Sequence, residues 1–420
     1  MPYIGNQPGT GVRSRFIYTA TASQTTFSGA DDNSKTLKYA DSNYIDVYLN
    51  GVCLEPGTDY TASTKTSVVL TQAASLGDTL KIIAYDIASM SDMSASNGGT
   101  FQADVTFAAG ADIITATAGT DNVRIGSGAG DSIASGGNDN VTIGKNAGTA
   151  ITTGDSNVAI GHEALAAQTT AGNNTVVGNN AASSNVTGTD ITAIGYQALE
   201  DATSGQYNTA LGARAAANLT SGDFNTAIGR DTLSGVVTGD GNVAVGNASL
   251  AANTSGASNV AVGRNALVAN TTGGSSIAIG KDALKTLTTA SEMVAIGTEA
   301  LQANTSGTQN VAIGTGSMYD NTTGGYNTAV GHNTLPNNTT AGYNVAVGLN
   351  SLAANTTGQE NTAVGQGTLT ANTTAHANTA MGSAAMSSST TASYNTAVGA
   401  ASLAAQTTGT DNTAVGYAVL

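Results

Sequence analysis

A glycine returns every 17 residues from Gly144 to Gly416, through Gly161, Gly178, Gly195 and onward, with no insertion or deletion across seventeen copies. Gly126 precedes the series by 18. A fixed period of this length means one supersecondary unit stacked many times, because a single unit cannot bury its own apolar face. Around each glycine the unit reads approximately N-T-A-V-G-x-x-A-L-x-A-N-T-T-G-x-x, as in Asn259–Ser275.

Each position of the unit suggests a structural role. Val, Thr or Ile stands three residues before the glycine and Val, Ile, Leu or Met one before it. Ala lies between them in all but two units, so the triplet reads as a short strand. Alternation predicts that the β-branched pair, such as Val260 and Val262, faces the interior while Ala261 faces out. The motif glycine and the glycine of N-T-T-G suit corners with positive φ or close backbone approach. Asn242, Asn259 and Asn310 can form an amide ladder or close a turn, and Leu250, Leu267 and Leu352 supply most of each unit's apolar surface. Apolar spacing does not follow a 3.6 period, and Gly, Asn and Thr are too frequent for helix. The array is therefore β, with rungs about 4.8 Å apart and a length of roughly 80 Å. So thin a coil is expected to leave its Ala and Leu row exposed, and hence to wrap as a homotrimer.

Composition narrows the function. Aromatics at 5%, charged residues at 10% and no Trp are poor material for one large globular core. Regular β-branched positions argue against disorder. A formal charge of −15 repels nucleic acid and anionic lipid. No run approaches the roughly 20 apolar residues that span a bilayer, and the start MPYIGNQPGTGVRSRF lacks a signal segment, so neither insertion nor conventional secretion is expected. Cys53, the only thiol, rules out an intrachain disulfide.

Catalytic and metal sites find little support. His162 and His332 follow motif glycines ten rungs apart, and His376 lies elsewhere in the unit. Glu163, Asp231, Glu299, Asp320 and Glu360 occupy scattered repeat positions, whereas paired-carboxylate hydrolysis needs two acids about 5 to 10 Å apart. No enzyme, metal or cofactor is expected. Aromatics before the motif Asn are the binding candidates: Tyr207 and Phe224 in adjacent units, Tyr326 and Tyr343 likewise, and Tyr394. Stacked on neighbouring rungs they would form short outer ladders that cover loops or receive sugar rings. Asn-Thr-Thr rows such as Asn270–Thr272 raise ice binding, but they sit in turns beside Gly.

The phrases NVAVGRNALVANTTG and NTAVGQGTLTANTT resemble the head repeats of trimeric autotransporter adhesins, whose signature is SVAIG followed by GxxAxAxG. That resemblance, over Asn140–Leu420, implies parallel β-rolls in a homotrimer, although the unit here is 17 residues against the family's 14. Residues 14–90 alternate strand-like runs with turn signals Asn50-Gly51, Pro56-Gly57 and Gly77-Asp78, at the spacing of a small antiparallel sandwich. Within them, IDVYLNGVCLEPGTDY and SVVLTQAASLGDTLKIIAY are similar to a small domain near the N-termini of phage tail fibre and appendage proteins, which implies a virion-attachment module.

The sequence thus predicts an all-β chain. Residues 1–95 form an N-terminal attachment β-sandwich, 96–125 a linker leading into the repeats, and 126–420 a β-solenoid or β-roll shaft ending uncapped at Leu420. The expected role is a trimeric tail fibre or virion appendage held to a tail or baseplate protein through residues 1–95 and contacting a host glycan or protein. A bacterial surface adhesin fragment and a capsid decoration protein are the competing expectations.

Overall fold

The computed structural model describes residues 12–86 and 118–419, which fall in two compact units taken in turn. The first holds seven strands: β1 (Val12–Thr19), β2 (Gln24–Ser28), β3 (Ile45–Leu49), β4 (Val52–Cys53), β5 (Tyr60–Thr61), β6 (Ser67–Ala74) and β7 (Thr79–Asp86). They make two antiparallel sheets, ordered β1-β7-β3-β4 and β2-β6-β5. Period-2 alternation sends Phe16, Tyr18, Val47, Leu80 and Ile82 inward to meet Phe27, Tyr60, Val68 and Leu70 in one core. The Asn50-Gly51 pair closes the β3–β4 hairpin with both φ angles positive, 48° and 86°. Gly77 takes φ 88°, and the Asp78 carboxylate beside it accepts the Ser75 N–H at 2.7 Å. Tyr18, buried and facing Asp31 and Asp32, has its hydroxyl pushed up to about 12 by burial and then by those two charges.

In the second unit eighteen three-residue strands, from β8 (Val123–Ile125) and β9 (Val141–Ile143) to β24 (Thr396–Val398) and β25 (Thr413–Val415), pair in parallel with their neighbours in sequence. The register is uniform: Val260 meets Ile277, Ala261 meets Ala278 and Val262 meets Ile279. Hydrogen bonding continues around the contour, since Asn265 N–H donates to Asn247 C=O at 3.0 Å and Leu267 N–H to Ala283 C=O at 3.0 Å. Thr271 N–H likewise reaches Thr288 C=O at 2.8 Å, so turns as well as strands are laddered. This is a β-solenoid of 17 residues per turn. Residues 96–117 of the expected linker lie outside the described residues, and Val123–Ile125 at its end already pair with the next rung.

The strand faces are the reverse of the expectation. Ala159, Ala261, Ala312 and the other central alanines are buried, while the flanking pair points outward and is half-buried or exposed. The cause is the width of the coil. Leu165, Leu267, Leu301 and the other leucines of that row are buried and fill the interior from the opposite wall, which leaves room for a methyl group beside them; Thr142 and Val176 fit the same strand position where Gly148 and Ala182 replace the Leu. The anticipated exposure of the Ala and Leu row is therefore also corrected, because one chain closes its own core.

Two internal amide ladders join the walls. Asn259 donates through Nδ2 across the coil to Gly273 C=O at 2.8 Å. Its backbone N–H and Nδ2 both reach Asn242 Oδ1 on the rung before, at 3.0 and 3.2 Å. A second ladder runs through Asn304, Asn321, Asn338, Asn355 and Asn372, with side-chain bonds of 2.7 to 3.0 Å. Asn thus both stacks and closes turns, which satisfies buried carbonyls that water cannot reach.

The two glycines differ in their reasons. Gly263 takes φ 132°, and a Cβ there would lie 2.5 Å from Gly280 O, so conformation and close approach both require it. Gly273 has no positive φ, but a Cβ would press on Ala290 O.

Candidate functional site

The five aromatic candidates occupy one corner of the coil, five residues before the motif glycine. All take left-handed φ, from 56° at Tyr207 to 61° at Tyr326 and Tyr394, which turns the side chain out of the contour. Each N–H is satisfied from the preceding rung, as when Tyr326 N–H donates to Thr308 C=O at 3.0 Å and Tyr394 N–H to His376 C=O at 3.1 Å. The rings themselves are half to two-thirds exposed. Tyr207 and Phe224 stack with centroids 4.9 Å apart and planes 6° from parallel, and Tyr326 and Tyr343 at 5.0 Å and 1°. Tyr394 has Ala377 and Asp411 as its row neighbours.

Stacking limits what these ladders can do. In each pair one face of each ring is covered by the other, which leaves only the outer faces for a flat ligand. Phe224's outer face looks toward Gly241, where no side chain stands in the row, and Tyr343's toward Glu360. This row and the adjacent one contain several Asp and Glu but no Lys or Arg, so the corner favours neutral, hydroxyl-rich ligands over anions.

The remaining candidates separate in space or are already engaged. His162 Nε2 lies 3.7 Å from Glu163 Oε1 while its Nδ1 is buried without a hydrogen bond, and His376 Nδ1 accepts Gln359 N–H at 3.1 Å. Among the described residues no three His, Cys, Asp or Glu gather as metal ligands. Asp231 receives Arg214 Nε at 2.6 Å and Arg230 Nε at 3.1 Å, and the Arg214 hydrogen bond holds its carboxyl below the usual range. Burial works to raise Asp282, but the Asn265 hydrogen bond and the charges of Lys285, Lys281 and Arg264 outweigh it and lower the carboxyl. A general acid needs the opposite shift. Glu299 meets Lys281 at 3.8 Å, and neither Asp320 nor Glu360 makes an ion pair among the described residues. In the N-T-T-G turns the first Thr spends its hydroxyl on the next rung, Thr271 Oγ1 donating to Thr288 C=O at 3.0 Å. Only Thr272 and its equivalents remain outside, a single row rather than a two-dimensional lattice. Cys53 is exposed.

A larger feature was missed. On the outer sheet face the position before the motif glycine is Ile, Val, Leu or Met in all eighteen rungs, from Ile125 to Val415. Beside it runs a row of Val, Thr and Ile, and members of both rows such as Ile194, Leu211, Ile277, Ile279, Ile313 and Val345 are well exposed. A signal was present in the repeat: where the Leu position shrinks to Gly148 or Ala182, the central strand residue six before it grows to Thr142 or Val176, the compensation expected of two positions that share one interior. No helix among the described residues is long and apolar enough to cross a membrane.

No family model, curated protein or solved structure matches this chain. Function has to be argued from the coil itself.

Proposed function

We propose that the chain is the stiff homotrimeric shaft of a tail fibre or related appendage of a phage virion, attached through its N-terminal β-domain and presenting a host-recognising surface. The observation that carries the reading is the uninterrupted aliphatic row on the outer sheet face. A strip about 80 Å long and about 10 Å wide amounts to roughly 800 Å² per chain, the area of one side of a standard protein interface. A surface of that extent with an unbroken aliphatic row along it suits a contact surface, and a straight 18-rung row is matched in length and period by the same row on another copy. Association here needs no opening of the core, since each coil is closed and the three outer faces would converge on a common axis.

Such a shaft works by geometry. It spaces and multiplies weak contacts, so that avidity arises without chemistry. The free outer faces of the Tyr207–Phe224 and Tyr326–Tyr343 pairs, and the Tyr394 ring, are the surfaces on which host sugar rings would rest.

Two experiments test this. Replacing Val262 and Ile279 together by Asp is expected to reduce the trimer to monomer while leaving the β circular dichroism intact, because neither side chain is in the coil's core. Retention of the trimer would show that the contact lies elsewhere. Immunogold labelling with an antibody to residues 1–90 is expected to mark the base of a phage appendage, whereas gold on particle-free cell surfaces would favour a bacterial adhesin.

A further inference from the structure

We infer that β1 is a docking edge for an extended, carboxylate-bearing segment of a partner protein, held by strand addition and by Arg13, Arg15 and Lys81. This deepens the attachment reading by naming the face and the chemistry it takes.

Among the described residues β1 is the outer strand of its sheet, paired only with β7. Ile17 shows which of its residues face away from β7: its N–H donates to Asp31 Oδ2 at 3.0 Å and its C=O accepts Asp32 N–H at 2.8 Å. In an antiparallel ladder these roles alternate, so Arg15 and Arg13 also turn their backbone N–H and C=O to the open side. The loop bearing Asp31 and Asp32 covers the edge at Ile17. At Arg13 and Arg15 no backbone or side-chain group among the described residues pairs with that edge. An unpaired edge of this kind is a template for another strand.

The adjoining sheet surface sets the partner's chemistry. Arg15, Ile17, Lys81, Thr79, Asn50 and Gly51 line a shallow cavity of about 470 Å³, with two cations and no acid in its wall. Arg13, Arg15 and Lys81 make no ion pair among the described residues, and Lys81 Nζ rests 5.3 Å from the Tyr48 ring centroid. The nearby acids keep their charge but are held by neutral donors rather than by these cations: Asp46 accepts the Tyr85 hydroxyl at 2.9 Å, Asp78 accepts Asn50 Nδ2 at 2.8 Å and Ser75 N–H, and Asp32 accepts the Thr19 hydroxyl at 2.8 Å. In a chain of formal charge −15, free cations beside an open edge are complementary to an acidic strand, with Arg15 able to take a carboxylate side-on.

The test uses the full chain and a fluorescein-labelled octapeptide of alternating Asp and Val, with a Lys-Val peptide as its counterpart. The Asp peptide is expected to bind saturably and to slow amide exchange in β1, and the Lys peptide to do neither. Arg15→Gln should weaken binding about tenfold through loss of a charge-assisted pair. Arg13→Pro, which removes an edge donor without touching the β7 ladder, should weaken it comparably. Lys65→Gln, the same charge change on β6's side of the domain, should leave it unchanged. Equal loss in the Lys65→Gln control, binding untouched by Arg13→Pro, or no saturable binding would each overturn the inference. Because the probe is synthetic, its failure is separate from that of the virion reading, which the gold label decides.

Discussion

At the residue scale the coil depends on a few positions with little freedom. Gly263→Ala forces a side chain into a left-handed conformation against Gly280 O and should cost about 3 kcal/mol. The loss should appear in hydrogen exchange of the adjoining rungs rather than uniformly, because stability in a stack is largely a sum over neighbours. Ser389 Oγ and Asn372 Oδ1, in the same row one rung apart, are both buried without partners. Ser389→Asn should extend the second ladder and raise stability by about 1 kcal/mol in denaturant titration; a loss of stability would show that the site has no room for the amide. In the N-terminal domain, burial tends to raise the Asp31 carboxyl, but N–H groups of Ile17, Lys35 and Asn33 outweigh it and hold it below its ordinary value. A lowered carboxyl contributes stability above its ordinary pKa and loses it as pH falls through the folded value. Acid titration of the domain should therefore be shallower below about pH 4 in Asp31→Asn than in the parent.

At the element scale the sequence revealed period, strand position and class, because glycine, the β-branched pair and N-T-T-G recur in fixed phase. It did not reveal which strand face is inside. Hydrophobicity alone assigns Val260 and Val262 to the core, whereas the width left by Leu267 and its equivalents assigns Ala261. Compensation between positions was the better guide, since Thr142 faces Gly148 and Val176 accompanies Ala182 where other units pair Ala with Leu. Stacking of Tyr207 on Phe224 was likewise legible from their 17-residue separation, but the orientation that hides one face of each ring needed the left-handed backbone. Since the rung is the modular element, deletion of Asn259–Ser275 should leave circular dichroism and cooperativity nearly unchanged. Deleting 16 of those residues shifts every later side chain in the contour and should unfold the array locally; equal tolerance of both deletions would contradict the uniform register.

At the scale of the molecule, a coil that closes its own core leaves an aliphatic row along the outer sheet face, and the proposed trimeric shaft is the assembly that would cover it. Leu, Ala and Asn hold each chain together, while in the proposed assembly the outward Ile and Val rows would hold chains to one another. On that proposal the two roles are separable within one 17-residue unit. The most direct test is the mass of the purified full chain by light scattering across a range of concentrations. Three times the 41.2 kDa chain mass, falling to the single-chain value in the Val262→Asp/Ile279→Asp variant, is the predicted result. A parent protein that stays at 41.2 kDa at every concentration would contradict it.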